Sequence, residues 1–525
     1  MTTARPPRRI VILGGGTAGW LAAAYFARTL KQGAATTLVE SSEIGTIGVG
    51  EGTFPTIRST LAALDVREAD FIRASSATFK QGVLFEGWAR EPNDGVRDSY
   101  FHPFNFPFGG SEPGLLPYWI ADNRAERPAF ADAVTVQEQL IRAGRGPKRS
   151  EDPDFSGPMN YAYHFDAARF SGFLRDVATA SGAIRYEGTV VAVERADNGD
   201  ILAFLLADGR RVEGDFFIDC SGFRARLIGE ELGARFIPCG DTLFNDRALA
   251  VQVPYHAPDT PVRSHTLATA HEAGWTWDIG LDNRRGVGYV YSSRHSTDEA
   301  AEAVLRRYVG KEMEGLSPRL LKFATGYRDR QWIGNCAAVG LSAGFFEPLE
   351  STGIMLIESA LSMLGDFITT GDRNTREAAA RRFNRLMLGR FERIVAFLKL
   401  HYCISQRRDT AYWRDNTDAV SIPEDLCDLL MEWRHRPPSR FDFIVDLETF
   451  LPPSYHYILY GMGFRTELQG LTPYPDTAAA QAAFSKVRAA GQQALAHLPD
   501  HRTLLNTYYR QSATPVRMTG MKGIS

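Results

Sequence analysis

Residues 8 to 30 read RRIVILGGGTAGWLAAAYFARTL. The apolar run from Ile10 to Leu13 has the branched side chains of a buried strand, three glycines follow as a turn, and an alanine-rich helix is predicted from about Ala18. Gly14-x-Gly16-x-x-Gly19 falls at that junction, with Gly15 inside it. TTLVE then predicts a second strand ending in Glu40, at the distance where an acid meets ribose hydroxyls. Strand, glycine turn, helix and acid together form a dinucleotide fingerprint, in which the helix N-terminus offers amides and a positive dipole to a pyrophosphate. The fold class that follows is α/β, mixed with α+β features, built on a Rossmann-like nucleotide domain with mixed sheets. The uncharged run after Arg8 and Arg9 could also be read as a leader or membrane span, but three successive glycines are a poor choice inside a spanning helix.

Two later segments favour FAD over NAD. FLLADGRRVEGDFFIDCSGFRA predicts a strand, a turn at Asp208–Gly209, and an apolar strand running into Cys220-Ser221-Gly222. GNCAAVGLSAGFFEPLESTGIMLIESA predicts strand, glycine loop and long apolar helix, a second junction that returns to the nucleotide fold and can close over a flavin. No second glycine fingerprint of comparable quality follows, so no separate nicotinamide domain is expected.

Composition describes an ordinary globular chain of 525 residues, 44% hydrophobic and 23% charged. A net charge of −3 gives no electrostatic case for nucleic acid or an anionic membrane. Five scattered cysteines form no C-x-x-C pair, which argues against a disulfide framework or zinc site and fits a reducing cytoplasm.

Several segments carry unusual chemistry. SSEIGTIGVGEGTFPTI, with Gly45, Gly48, Gly50 and Gly52, is a flexible connection able to lie against a ligand, and Glu51 is an odd charge among those glycines. Lys80 stands in an otherwise uncharged stretch from Ala74 to Leu84; it is either a surface lysine or a desolvated one with a lowered pKa. DSYFHPFNFPFGG places Tyr100, Phe101, His102, Phe104, Phe106 and Phe108 in what reads as an extended loop, either packed or forming an aromatic ligand wall. Glu350, Ser351 and Thr352 precede an apolar helix, where each could act as a cap. The amides of Thr352, Gly353 and Ile354 would form an anion nest. GWTWDIG, residues 274 to 280, stacks Trp275 and Trp277 on one strand face.

GGGTAGW at 14–20, GVGEGT leading to Lys80, WTWDI at 275–279 and FEPLESTG at 346–353 together resemble the flavin-dependent halogenases of the tryptophan halogenase family, in order and spacing over nearly the whole chain. The resemblance implies that reduced FAD, O₂ and chloride or bromide yield hypohalous acid, with the halide at the amides of Thr352 and Gly353. By the same correspondence Gly15, Ala18, Glu40, Ser41, Ile44, Gly52, Leu341 and Ile354 line the FAD, and Glu51 links the glycine strap to the halide side. It makes Lys80 the essential lysine, as a haloamine or as a donor to hypohalous acid, with Glu350 polarising the oxidant or helping to remove the ring proton. The two tryptophans become a screen that keeps substrate from the flavin and lets only hypohalous acid pass. An external NAD(P)H-dependent flavin reductase is implied as partner, and a homodimer is common among such enzymes. Two departures stand out: Gly280 replaces the family proline, which puts the rigidity of the screen in doubt, and Gly52 replaces the usual alanine, which would loosen the strap.

WTWDIGLDNRRGVGYVYSS predicts a hairpin turning near Asn283 to Gly286. From Ile354 onward the pattern is helical, which divides the chain into 1–353, the nucleotide domain with an insertion at 100–160 contributing to the substrate chamber, and 354–525, a mainly helical substrate region. An electron-rich aromatic, most simply an indole, is expected between His102 or Phe104 and the 441–460 segment; free tryptophan, an indole derivative and a tryptophan inside a peptide are all open. The rival readings are an aromatic hydroxylase, which would leave Lys80 replaceable, and a non-catalytic FAD-binding homologue.

Overall fold

The computed structural model describes residues 8–30, 33–42, 50–92, 98–109, 114–122, 127–368, 372–444, 447–468 and 477–510. Arg9–Leu13 is the first strand and Thr17–Thr29 the helix after the glycine turn. That strand lies inside a six-stranded sheet ordered Trp332–Ile333, Cys336–Ala338, Phe216–Asp219, Arg9–Leu13, Ala35–Glu40, Ile184–Glu187. Every pair in it is parallel except the first. Parallel strands are covered on both faces, which explains why RIVIL and FFID are unbroken apolar runs. Cys336–Ala338 docks beside Phe216–Asp219, so the second junction does return to the nucleotide sheet. The expected mixed α/β class is what the chain adopts.

A seven-stranded sheet runs Arg319–Lys322, Arg247–Pro254, Arg284–Tyr291, Gly274–Gly280, Thr266–Ala270, Gly82–Glu86, Ser99–Pro103. Its central hairpin turns earlier than the sequence suggests. Ile279 pairs with Gly286, so the turn is Leu281–Asn283 and Gly286 belongs to the second strand. The aromatic stretch at 99–103 is also a strand and not a loop, paired antiparallel to Gly82–Glu86. Pro103 is tolerated there because the strand is the sheet edge.

A three-stranded sheet positions the chemistry. Ala162–Asp166 is its centre, flanked by Gly50–Gly52 and Thr78–Lys80, so that Gly52 and Thr78 both register with His164. The later chain is mostly helical, with Thr352–Phe367, Arg373–Cys403, Glu424–Trp433, Pro452–Gly461, Thr477–His497 and His501–Tyr509 as its longer elements. One continuous core joins them to the sheets and contains Ile10, Phe85, Trp275, Phe397 and Tyr457. No described helix is long and apolar enough to cross a membrane. All five cysteines are unbonded.

Candidate active site

Three of the turn's four glycines have a steric reason. Gly14 adopts φ +115°, and a Cβ there would fall on the Cys220 carbonyl. A Cβ at Gly15 would strike the Glu40 carboxylate, and one at Gly19 the Gly14 carbonyl. Gly16 faces open space and starts the helix with no side-chain cap, leaving the first amides free for a ligand. Glu40 is held over the turn by Arg185, 2.6 Å from its Oε1, and by the Trp20 indole N–H, which donates to Oε2 at 3.2 Å. Gly14, Gly15, Gly16, Ala18, Glu40, Ser41, Leu341 and Gly353 all keep part of their surface open. This backbone-lined cradle with one acid fits FAD. Ile44 lies outside the described residues. Gly16→Ala is expected to leave the melting temperature nearly unchanged while weakening FAD binding at least about tenfold, because backbone approach at this glycine is what admits the pyrophosphate; titration of flavin fluorescence measures it.

Lys80 is a fully buried strand residue and not a surface lysine. Its Nζ donates to Ser351 Oγ at 2.8 Å and to the Thr53 carbonyl at 3.3 Å, and lies 5.3 Å from the centre of the Phe104 ring. Burial pulls the ammonium down to about 7, against the opposing field of the Glu350 carboxylate. Ser351 is the N-cap of Thr352–Phe367, yet its side chain caps nothing; neither it nor Thr352 nor Glu350 fills the capping role the sequence suggested. It sits at φ 58°, a left-handed conformation that disfavours a residue with a Cβ and aims its hydroxyl at Lys80. The amides at the helix start therefore have no side-chain cap, and a Cβ added to Gly353 would meet nothing within 4 Å. Gly52 borders the same spot: an added methyl would lie 2.9 Å from Ser351 Oγ and 3.2 Å from Lys80 Nζ. Far from loosening the strap, glycine here leaves room for the lysine. Glu51, one residue earlier, leaves from the other strand face, where burial and the neighbouring Asp166 push its carboxyl up to about 7.

Glu350 is buried beside Lys80. Its Oε1 accepts from His102 Nδ1 at 2.9 Å and meets His401 Nε2 at 3.0 Å. Burial alone would raise its pKa, but the charge and hydrogen bond of His102, joined by those of His401, outweigh it and hold Glu350 at about 2. Around His102 stand the rings of Tyr457 at 6.0 Å, Phe397 at 6.1 Å and Phe450 at 6.3 Å. Phe54 connects this group to Phe104, with ring centres 5.4 Å from Phe450 and 5.8 Å from Phe104. The aromatic stretch thus divides: Tyr100, Phe101 and His102 are buried, whereas Phe106 and Phe108 are exposed. His456 turns away, its Nε2 donating to the Pro438 carbonyl.

Trp275 and Trp277 share one face of their strand, with rings 6.3 Å apart. Trp277 lies over Gly288, its cross-strand partner, where any side chain would collide with the indole. It also lines a cavity of about 350 Å³ together with Gly50, Gln252 and Gly286. Trp275 packs on Trp88, and its indole N–H donates to Glu347 at 2.7 Å. Glu347 also receives Asn245 at 2.6 Å and the Tyr402 hydroxyl at 2.8 Å. Gly280 does not relax this segment: it is buried, and a Cβ there would lie 2.7 Å from Val262 and 3.1 Å from the Tyr255 hydroxyl. Its carbonyl accepts from Thr78, which ties the tryptophan strand to the strand of Lys80. Gly280→Pro is therefore expected to destabilise the fold by about 1–3 kcal/mol, as overpacking does, rather than to stiffen it; thermal melting measures this.

Three participants escaped the sequence reading: His401, Glu347, and Ser351 as the lysine's partner. The signal for His401 was available, since it is a titratable residue in the apolar run VAFLKLHYCI, the same kind of context that singled out Lys80.

The tryptophan halogenase family model matches residues 9–473. A tryptophan 6-halogenase of Streptomyces toxytricini is 35% identical over 510 residues, covering 92% of this chain and 95% of that protein. A tryptophan 7-halogenase of Lentzea aerocolonigenes is 36% identical over 428 residues, 78% of this chain and 79% of its own. The crystal structure of a tryptophan halogenase from Shewanella frigidimarina superposes with a TM-score of 0.93 at 39% identity, covering 96% of this chain and 98% of that one. With the cradle, the buried lysine and a match of this extent in hand, the chain belongs to the tryptophan halogenase family of flavin-dependent enzymes.

Proposed function

We propose that this flavin-dependent halogenase transfers chloride or bromide, as electrophilic halogen, to a small indole: tryptophan or an indole derivative. The observation that carries the reading is Lys80, enclosed without solvent, with its Nζ held by Ser351 and Thr53 and the Glu350 carboxylate close by. When bound, reduced FAD would activate O₂, the source of the oxidising equivalents that turn halide into hypohalous acid. The chain's own residues do the rest. Gly14, Gly15, Gly16, Ala18, Gly19, Glu40, Ser41, Ile44, Leu341 and Ile354 hold the cofactor, and the amides of Thr352 and Gly353 hold the halide. Lys80 receives the halogen and presents it to the aromatic. Glu350 accepts the ring proton or polarises the oxidant. Glu51 joins the strap to the halide side through the backbone of Gly52, since its carboxylate leaves on the opposite face. His102 and Phe104, with Phe397, Phe450 and Tyr457, supply the aromatic surroundings of an indole between the 99–108 segment and the helical region from 354 onward. Trp275 and Trp277 screen it from the flavin. A separate flavin reductase delivers reduced FAD, and a homodimer is the proposed assembly.

The test is mass spectrometry of a reaction containing the protein, a flavin reductase, NADH, FAD, O₂, bromide and a pool of indoles. A brominated isotope doublet supports the reading. A product carrying oxygen and no bromine would overturn it in favour of an aromatic hydroxylase.

A further inference from the structure

His401 occupies the last turn of the 31-residue helix Arg373–Cys403 and is fully buried. Its Nδ1 lies 3.0 Å from the Phe397 carbonyl, one turn back in the same helix. A carbonyl only accepts, so Nδ1 carries a hydrogen. The other nitrogen, Nε2, faces Glu350 Oε1 at 3.0 Å. One proton must therefore lie between Nε2 and Oε1. Either histidine holds it, as an imidazolium beside a carboxylate, or Glu350 holds it beside a neutral ring.

Three features place it on the histidine. Oε1 also receives His102 Nδ1 at 2.9 Å, and a carboxylate oxygen accepts two donors better than an acid hydroxyl does. Glu350 stands just before the uncapped N-terminus of Thr352–Phe367, where the helix dipole favours a negative charge. His401 stands at the C-terminal end of its own helix, where the dipole favours a positive one.

We propose that His401 is a buried imidazolium that claims the charge of Glu350, which His102 also holds ionised, a positioning residue that leaves Lys80 free to be a neutral amine. The proposal rests on the halogenase reading of this site. Other groups facing the pair are His102 and Tyr100 from the edge strand, Lys80 itself, and Glu347, whose carboxylate also feels His401. His164 is neutral beside Lys80, held far below its usual pKa by burial and by the lysine. Without the imidazolium, Glu350's field would act undivided on Lys80 and favour the ammonium.

Infrared difference titration of the resting protein against Glu350→Gln tests the charge state without any turnover. The expected result is no carboxylic acid carbonyl band from Glu350 across neutral pH. Such a band at neutral pH would overturn the proposal, because it would put the proton on Glu350. The second measurement is the pH–rate profile of His401→Gln, which keeps a hydrogen-bond donor and removes the charge. Its lysine-dependent limb is expected to move up by at least about one unit, with kcat recovering at high pH and KM for the indole unchanged. An unmoved limb, or a loss that no pH restores, would also overturn it. Should the protein brominate nothing, the infrared result still decides the proposal, so its failure and that of the halogenase reading remain distinct.

Discussion

Lys80→Met is expected to lower halogenation at least about a thousandfold while FAD binding, folding and flavin reoxidation stay intact. Methionine fills nearly the same space and needs no hydrogen bond, so the fully enclosed site loses its amine without gaining a void. Stability is expected to hold or rise, since a buried amine that must be desolvated is replaced by an apolar chain. The wild-type pH profile gives the same argument a sign. Burial brings Lys80 down to about 7. Two of its hydrogens are committed to Ser351 and Thr53, so the neutral amine has a lone pair left to meet an electrophile. On the haloamine reading the neutral form is the one that captures halogen, and the rate is expected to climb as pH rises through about 7 and then level. A rate that fell over that interval would mean that the ammonium, as a hydrogen-bond donor to hypohalous acid, is the working form. Single-turnover mixing with pre-reduced FAD measures both quantities free of the reductase.

What the sequence showed and what it hid follow from the range of the interactions. The nucleotide fold was legible because strand, glycine turn and helix are local, and Gly14, Gly15 and Gly19 each answer to a clash within the same βαβ unit or its neighbouring strand, as Gly15 does with Glu40. The shared face of Trp275 and Trp277 was legible from the two-residue period alone. Lys80 was conspicuous for its uncharged surroundings, but its burial depends on Ser351, 271 positions away. His401 and Glu347 were missed for the same reason: their partners are remote in the sequence, Glu350 lying 51 positions from His401 and Trp275 72 positions from Glu347. The two departures from the family pattern were misjudged because glycine was weighed by backbone freedom. In the folded chain Gly52 and Gly280 matter for the space they leave, beside Lys80 in one case and beside Val262 and Tyr255 in the other. The edge strand at 99–103 was obscured by Pro103, which is compatible with a strand only at a sheet edge, a fact of topology and not of local sequence.

Glu350→Gln is expected to reduce product formation about a hundredfold, and by a different route from the lysine variant. The amide retains the shape and, with its nitrogen at the Oε1 position, can donate one hydrogen to each imidazole: to Nδ1 of His102, and to Nε2 of a neutral His401 that keeps Nδ1–H on the Phe397 carbonyl. The network is thus re-satisfied and the fold largely preserved. What disappears is an oxygen able to take a proton. Held at about 2, Glu350 is a weak base, but the halogenated ring is a strong acid, so a weak base that stays ionised at every working pH suffices. Halogen transfer to Lys80 does not need this proton acceptor, and flavin turnover is expected to continue with hypohalous acid lost to solution. Removing the negative charge also takes away the one field that raises the Lys80 pKa, so the limb near 7 is expected to shift to lower pH, opposite to His401→Gln. The decisive reading is isotopic. In the wild type, loss of the ring proton is expected to follow a slower halogen transfer, with deuterium at the substituted carbon having little effect. In Glu350→Gln proton loss becomes limiting, and a primary isotope effect is expected to appear. Its absence, with the rate still depressed, would assign Glu350 to polarising the oxidant and leave the ring proton to another acceptor.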